Sequence, residues 1–333
     1  MHPAIQGILT IAIGVSACLA YFWASNQFLD RVLFPARGPN AGRNINRANM
    51  VRPWLFLFPA LAALSLYLAY PVVETLRLSL TDRELDGAFV GFANYDQMMG
   101  DPKFWEALRN NMMWLLVVPA AATAFGLLAA QLTDRLSWGN IAKSLIFMPM
   151  AISFVGAAVI WKLVYDQRPP DTNQIGILNA LYMYFGGDDP QAWLTVPFWN
   201  NFFLMVVLIW IQTGFAMVIL SAALRGIPEE TVEAAIVDGA NPLQIFFKIK
   251  VPQIYKTIIV VWTTITLTVL KVFDIVFAMT NGQWETQVLA NYMYDKLFRA
   301  NDWGVGSASA MVIMLLVLPI LIWNVREVRK EMR

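Results

Sequence analysis

Lys271 and Asp274 stand three residues apart inside an otherwise apolar stretch, residues 257–280. On one helix that spacing puts both on a single face, within reach of each other. Charge in hydrocarbon is costly, so the pair must face the protein interior or a water-filled path. Two roles suit it. An ammonium and a carboxylate can each hydrogen-bond hydroxyl groups, which would make them the polar wall of a path for a neutral, hydroxyl-rich solute. Alternatively, they neutralise one another and pack against a second subunit. A second group lies in residues 199–222, where Gln212 and Thr213 offer an amide and a hydroxyl. Their neighbours Trp210 and Phe215 offer rings that could stack on the apolar face of a ring-shaped solute. Aromatic residues at helical spacing also serve plain packing or a lipid-facing surface. Other chemistry is excluded. One histidine, His2, and one cysteine, Cys18, leave no triad, no His- or Cys-ligated metal centre and no internal disulfide. No Gly-x-x-x-x-Gly-Lys-Ser/Thr run cradles a phosphate. We assign no catalytic residue and no metal ligand.

The elements that must position these groups belong to a membrane chain. Hydrophobic residues make up 58% of the 333 and charged residues 14%, against roughly 45–50% and 25% in globular proteins. Mean hydropathy is +0.53. A net charge of +1 gives no footprint for nucleic acid. Seven stretches approach the roughly 20 apolar residues that cross a bilayer: 4–24, 53–73, 110–132, 141–164, 199–222, 257–280 and 305–325. The fold class is therefore all-α, a polytopic membrane protein with seven transmembrane helices. Basic residues follow the first stretch instead of preceding it, which marks a retained helix and not a cleaved signal peptide. Lys and Arg concentrate in the loops around 25–52, 133–143 and 223–256 and after 325, with Arg135 and Arg333 among them. The opposite loops, which include Arg83, hold fewer. The positive-inside rule then puts the N-terminus outside and the C-terminus in the cytoplasm. Of the outer segments, 165–198 reads as loop with one short helix around Ile177–Phe185, and Asp101–Asn111 as a short helix at the membrane interface.

The loop 225–256 is too long for a turn. Pro228-Glu229-Glu230 has the proline and acidic first turn of a helix start. Helix runs from Thr231 to Val237, Gly239 breaks it, and Asn241-Pro242 opens a second short helix through Lys248. Pro252 closes the segment. Ala234, Ala235 and Ala240 beside Glu233 would let another protein approach the backbone closely. The alternative is an amphipathic helix that merely links two spans.

This loop resembles a known signature. Glu233-Ala234-Ala235, three residues, Gly239, nine residues, then Ile249-Lys250-Val251-Pro252 is similar to the EAA loop of the membrane subunits of binding-protein-dependent ABC importers. Val251 stands where that pattern has Leu. The likeness extends to Val90–Tyr95 with Phe104–Asn110, and to Phe273-Asp274, Met279–Gly282, Tyr292–Tyr294 and Phe298, which resemble sugar permeases of the maltose type, and nearest among them the alpha-glucoside branch. Gln283-Trp284 follow where the family often has Gly-Gly-Pro.

The resemblance implies two regions. Residues 53–333 form an ABC importer transmembrane domain of six helices, and 1–52 add an N-terminal helix and an Arg-rich cytoplasmic loop. It implies that Glu233, Ala234, Ala235, Gly239, Ile249 and Pro252 couple to a separate ATPase. That ATPase, in two copies, would bind the ATP and Mg, and this chain would hold no cofactor. A second permease subunit, a periplasmic sugar-binding protein, membrane lipid and a sugar, an oligosaccharide or alpha-glucoside, complete the expected partners. The matching sixth helix lines the sugar site in maltose-type relatives. The chain itself would be no enzyme and would sit in the bacterial inner membrane. Two rivals come from other classes: a stand-alone secondary sugar carrier, and a polytopic membrane enzyme, which lacks a catalytic constellation.

Overall fold

The computed structural model describes residues 3–37, 40–82, 87–134 and 136–331, with backbone alone at 324, 325 and 327–331. His2, Arg83, Arg135 and Arg333 lie outside the described residues. The chain divides into two compact units, Met1–Glu74 and Thr75–Arg333. Five described helices are long and apolar enough to cross a bilayer, and two bent helix pairs raise the number to seven if each pair is one span.

The first unit holds α1 (Pro3–Phe28) and α2 (Ala41–Leu64). The Tyr21 hydroxyl donates to the Leu55 carbonyl at 2.8 Å, and Arg52 pairs with Asp30 at 2.6 Å. α2 starts twelve residues before the apolar stretch predicted at 53, so Arg43, Arg47 and Arg52 ride on helix and not on a loop. Pro53 and Pro59 fall inside it. Proline removes an intrahelical hydrogen bond, a loss that membrane helices tolerate through neighbours and local π turns. A π turn at Ser65–Ala69 does follow, leading to α3 (Tyr70–Ser79).

In the second unit a two-residue hairpin pairs β1 (Thr81–Asp82) with β2 (Ala88–Phe89). Beyond α4 (Ala93–Gly100) comes α5 (Pro102–Thr133). The helix expected at the interface over 101–111 is the N-terminal end of α5. Asp101 caps it by accepting from the Lys103 N–H at 2.9 Å, and Phe104 and Ala107 are buried, so the segment packs against protein. α6 (Gly139–Phe147) leads through a 3-10 turn, Met148–Ala151, to α7 (Phe154–Val164) at 106°. α8 (Ile177–Tyr184) is the short helix predicted in the long loop.

α9 (Trp199–Arg225) is the central helix. Trp114, Val118 and Ala122 of α5 share one core with Leu204, Leu208, Met217 and Leu220 of α9. A Cβ on Gly126 would sit 2.4 Å from that of Ala216, so small residues let these two backbones approach closely. Then come α10 (Glu229–Val237), α11 (Pro242–Gln244), a π turn at Ile245–Lys250, α12 (Val251–Gln253) and α13 (Tyr255–Leu270). α14 (Asp274–Met279), α15 (Leu289–Tyr294) and α16 (Trp303–Glu331) close the chain.

Between α14 and α15 the backbone runs through positive φ at Asn281, Gly282, Trp284 and Glu285. For non-glycine residues that is strained and must be held from outside. Four asparagines do so. The Asn110 amide donates to the carbonyls of Glu285 and Gln287, both at 2.8 Å. Asn200 donates to the Trp284 carbonyl at 2.5 Å and Asn201 to that of Glu285 at 3.1 Å. Asn111 accepts from the Leu289 N–H at 2.8 Å. The lip so formed is tied to α5 by Asp101, which accepts from Lys296 at 2.9 Å and from the Tyr292 hydroxyl at 3.0 Å. Burial raises the Asp101 pKa, but hydrogen bonds from Lys296, the Lys103 N–H and Tyr292 outweigh it, leaving the carboxyl below its ordinary value.

Candidate functional site

Two of the apolar segments break, and the breaks meet. In the first, Pro149 sits in the 3-10 turn, Ile152 is extended, and the Ser153 hydroxyl caps α7 by accepting from the Gly156 N–H at 3.1 Å. In the second, α13 stops at Leu270 and α14 begins at Asp274. This corrects the expectation of one helical face for Lys271 and Asp274. Lys271 is the cap residue at the C-terminus of α13, and Asp274 is the first residue of α14. A cation at a helix C-terminus and an anion at an N-terminus each complement unsatisfied backbone groups. The two charges therefore stabilise the ends of the break, and among the ion pairs of the described residues none joins them.

A cavity of about 410 Å³ opens at the junction, lined by Met150, Ile152 and Ser153 from the first break, by Ile211 and Gln212 of α9, and by Asp274. A smaller lobe of about 140 Å³ shares Phe154 and Asp274 with it and adds Thr268, Lys271 and Phe273. The larger lobe is within the roughly 300–1,000 Å³ of small-molecule sites. Its polar groups are the Gln212 amide, the Ser153 hydroxyl and the Asp274 carboxylate, and the smaller lobe adds the Lys271 ammonium, a donor and acceptor set suited to hydroxyl groups. Gln212 is 8% exposed. Its sequence neighbours serve packing: Thr213 donates to the Ile209 carbonyl at 2.7 Å, Trp210 meets Trp161 edge to face at 5.7 Å, and Phe215 packs on the core of α9. Gln212, Lys271 and Asp274 are thus brought together; Thr213, Trp210 and Phe215 are not. Sequence reasoning missed Ser153 and Thr268. The Pro149…Ser153 spacing was a readable signal of the first break; Thr268 had none.

The loop after α9 is a compact knob. α10 ends in a Schellman motif: the Ala240 N–H donates to the Ala235 carbonyl and the Gly239 N–H to that of Ile236, both at 3.0 Å. Gly239 takes φ +81°, the left-handed conformation that motif requires. Asn241 then forms a capping box with Gln244, both bonds at 2.9 Å. Ala235 and Ile245 are buried within the knob, while Glu233, Ala234, Gly239 and Pro252 are exposed and Ile249 is half-buried. Its surface is unusually apolar: Ile236, Val237, Leu243 and Phe247 are all more than half exposed, the pattern of a surface that meets a partner.

Comparison with known proteins places this geometry. Residues 122–326 match the family described as binding-protein-dependent transport system inner membrane component. The chain is 63% identical to the alpha-glucoside transport system permease protein AglF of Rhizobium meliloti, with 99% of each chain aligned. It is 46% identical to the osmoprotective compounds uptake permease protein GgtC of a Synechocystis species, over 83% of this chain and 99% of that one. Among solved structures, a chain of a bacterial ABC transporter involved in the import of the acidic polysaccharide alginate superposes with a TM-score of 0.73. That match covers 86% of this chain and 98% of the other at 20% identity, a likeness of fold.

Proposed function

Because this multi-pass membrane permease belongs to the family of binding-protein-dependent transport system inner membrane components, we propose that it lines the path of a neutral sugar through a bacterial inner membrane. The sugar is an oligosaccharide or alpha-glucoside, a reading supported by the 63% identity to an alpha-glucoside permease. An outer binding protein delivers it, a second and different permease subunit completes the path, and two copies of a cytoplasmic ATPase bind the ATP and Mg. Glu233, Ala234, Ala235, Gly239, Ile249 and Pro252 form the ATPase contact, and Gln212, Lys271 and Asp274 bind sugar hydroxyls. One observation carries the reading: the cavity and the exposed knob are built on the same two helices. α9 carries Gln212 and runs into the knob, and α13 leaves the knob and ends at Lys271.

The test is reconstitution of the chain with its three partners in proteoliposomes. Uptake of an alpha-linked glucose disaccharide should require ATP, the ATPase and the binding protein together, and a beta-linked disaccharide should not be taken up. Sugar movement by this chain alone would instead identify a secondary carrier. The proposed orientation, with the N-terminus outside and the C-terminus cytoplasmic, is checked by single cysteines in a Cys18-free background. A membrane-impermeant maleimide should label position 180 from outside and position 45 only after the membrane is opened; the same pattern at both positions would refute it.

A further inference from the structure

The Asp134 carboxylate gathers the ends of three helices. Asp134 is the C-cap residue of α5, and its Oδ1 accepts from Lys143 Nζ of α6 and from the Ser221 hydroxyl of α9 at 3.1 Å. Arg225 Nε, in the last turn of α9, lies 3.5 Å away. Ser221 also accepts from Lys143 at 2.8 Å and from Arg225 at 3.1 Å, so its one donor and two lone pairs are all engaged. The Lys143 and Asp134 side chains are only 14% and 22% exposed and Ser221 is buried. Arg225 is 61% exposed, but the Asp134–Lys143–Ser221 part of the network is largely desolvated, and such charged bonds are strong because each polarises the next.

Its position gives it mechanical meaning. α9 runs on past Arg225 into the knob, and α6 runs from Lys143 to the turn whose Met150 and Ile152 wall the cavity. The two backbones touch again at Gly214, where a Cβ would meet the Ile146 carbonyl oxygen at 2.6 Å. Gly139 pins the start of α6 to the end of α5 in the same way, since a Cβ there would overlap the Thr133 carbonyl. We propose that Asp134 is a positioning residue that makes α6 and α9 move as one body, so that a displacement of the knob reaches the cavity wall at Met150–Ile152. α9 itself reaches the cavity at Ile211 and Gln212, but the Met150–Ile152 wall follows α6 and moves with the knob only if α6 is held to α9. The carboxylate is the charged link between them. This inference rests on the reading of the knob as the ATPase contact.

The experiment uses the complete transporter in proteoliposomes, scoring ATP hydrolysis with and without the loaded binding protein and sugar moved per ATP. Asp134→Asn keeps the size and one acceptor but removes the charge that holds Lys143 and Arg225. It should raise hydrolysis in the absence of binding protein and lower the stimulated-to-basal ratio at least about fivefold, within the roughly 5–150-fold range of allosteric couplings. Asp134→Glu should recover part of the ratio. Lys143→Met and Arg225→Gln, which each remove one donor from the same site, should shift the ratio in the same direction and serve if Asp134→Asn does not assemble. Spin labels at positions 140 and 222 should give one narrow distance in the wild type and a broadened one in Asp134→Asn. An unchanged ratio with unchanged distances, or equal loss of basal and stimulated hydrolysis, would overturn the proposal. A wild-type transporter whose hydrolysis ignores the binding protein would instead refute the reading of the knob, which separates the two failures.

Discussion

Gly239→Pro or Glu233→Lys in the knob is expected to leave the protein folded in the membrane and to abolish ATP-driven uptake. Proline fixes φ near −65° where the chain holds +81°, and it deletes the N–H that donates to the Ile236 carbonyl. The Schellman turn cannot form, and Asn241 and Pro242 are redirected. Nothing lies within 4 Å of a Cβ at this position, so Gly239→Ala would bear only the backbone penalty of about 1–2 kcal/mol and should retain partial uptake. Glu233 acts differently. It is exposed, so its reversal should leave folding intact and act only through a partner that faces it. Membrane levels by immunoblot and uptake in energised proteoliposomes decide the matter; wild-type uptake in Gly239→Pro and Glu233→Lys would reduce the knob to a linker.

The second large effect is expected in the cavity. Were Lys271 and Asp274 an ion pair on one face, removing both would repair what removing either had damaged, and a double-mutant cycle would give a coupling of roughly 0.5–3 kcal/mol. The break between α13 and α14 separates their roles, so removing both Lys271 and Asp274 should repair nothing, and the Lys271→Met, Asp274→Asn double variant should take up sugar more slowly than either single variant. Each should slow uptake by the loss of a sugar hydrogen bond, about 1–3 kcal/mol where the hydroxyl is left unpaired, or roughly 5–150-fold. Gln212→Leu should do the same. Hydrolysis stimulated by the loaded binding protein should survive in all three, because the knob is untouched. Uptake at the wild-type rate in these variants would remove the cavity from the sugar path.

These expectations show what kind of information the chain carries on its surface. Local rules were legible. Gly239, Asn241-Pro242 and the acidic start at Glu229 announced the knob, and the apolar stretches announced the spans, because capping and hydropathy depend on neighbours a few residues away. The break at 271–273 was not. Hydropathy is the same for a straight helix and a bent one, and no proline or glycine marks 271–273; only the paired charges at the two helix ends betray the break. The segment 101–111 joined α5 because Phe104 found a buried place against Met98 and Tyr292, partners no window of sequence could supply. Asp134 was silent for the same reason: its partners lie 9 and 87 residues away.

The knob and the lip differ in how their bonds are distributed along the chain. The hydrogen bonds that shape the Gly239 turn join residues no more than five apart. Those that hold the lip to α5 and α9 join residues separated by 84 to 191 positions. Contact order is therefore low in the knob and high at the lip. The bonds of the Gly239 turn can form as soon as residues 235–244 exist, whereas the lip waits for the last spans to find α5 and α9. A lesion in any of those spans propagates to the lip, and none of them is needed to build the knob. Heritable variation can thus erode or retune the lip of this molecule while the shape of the knob stays the same.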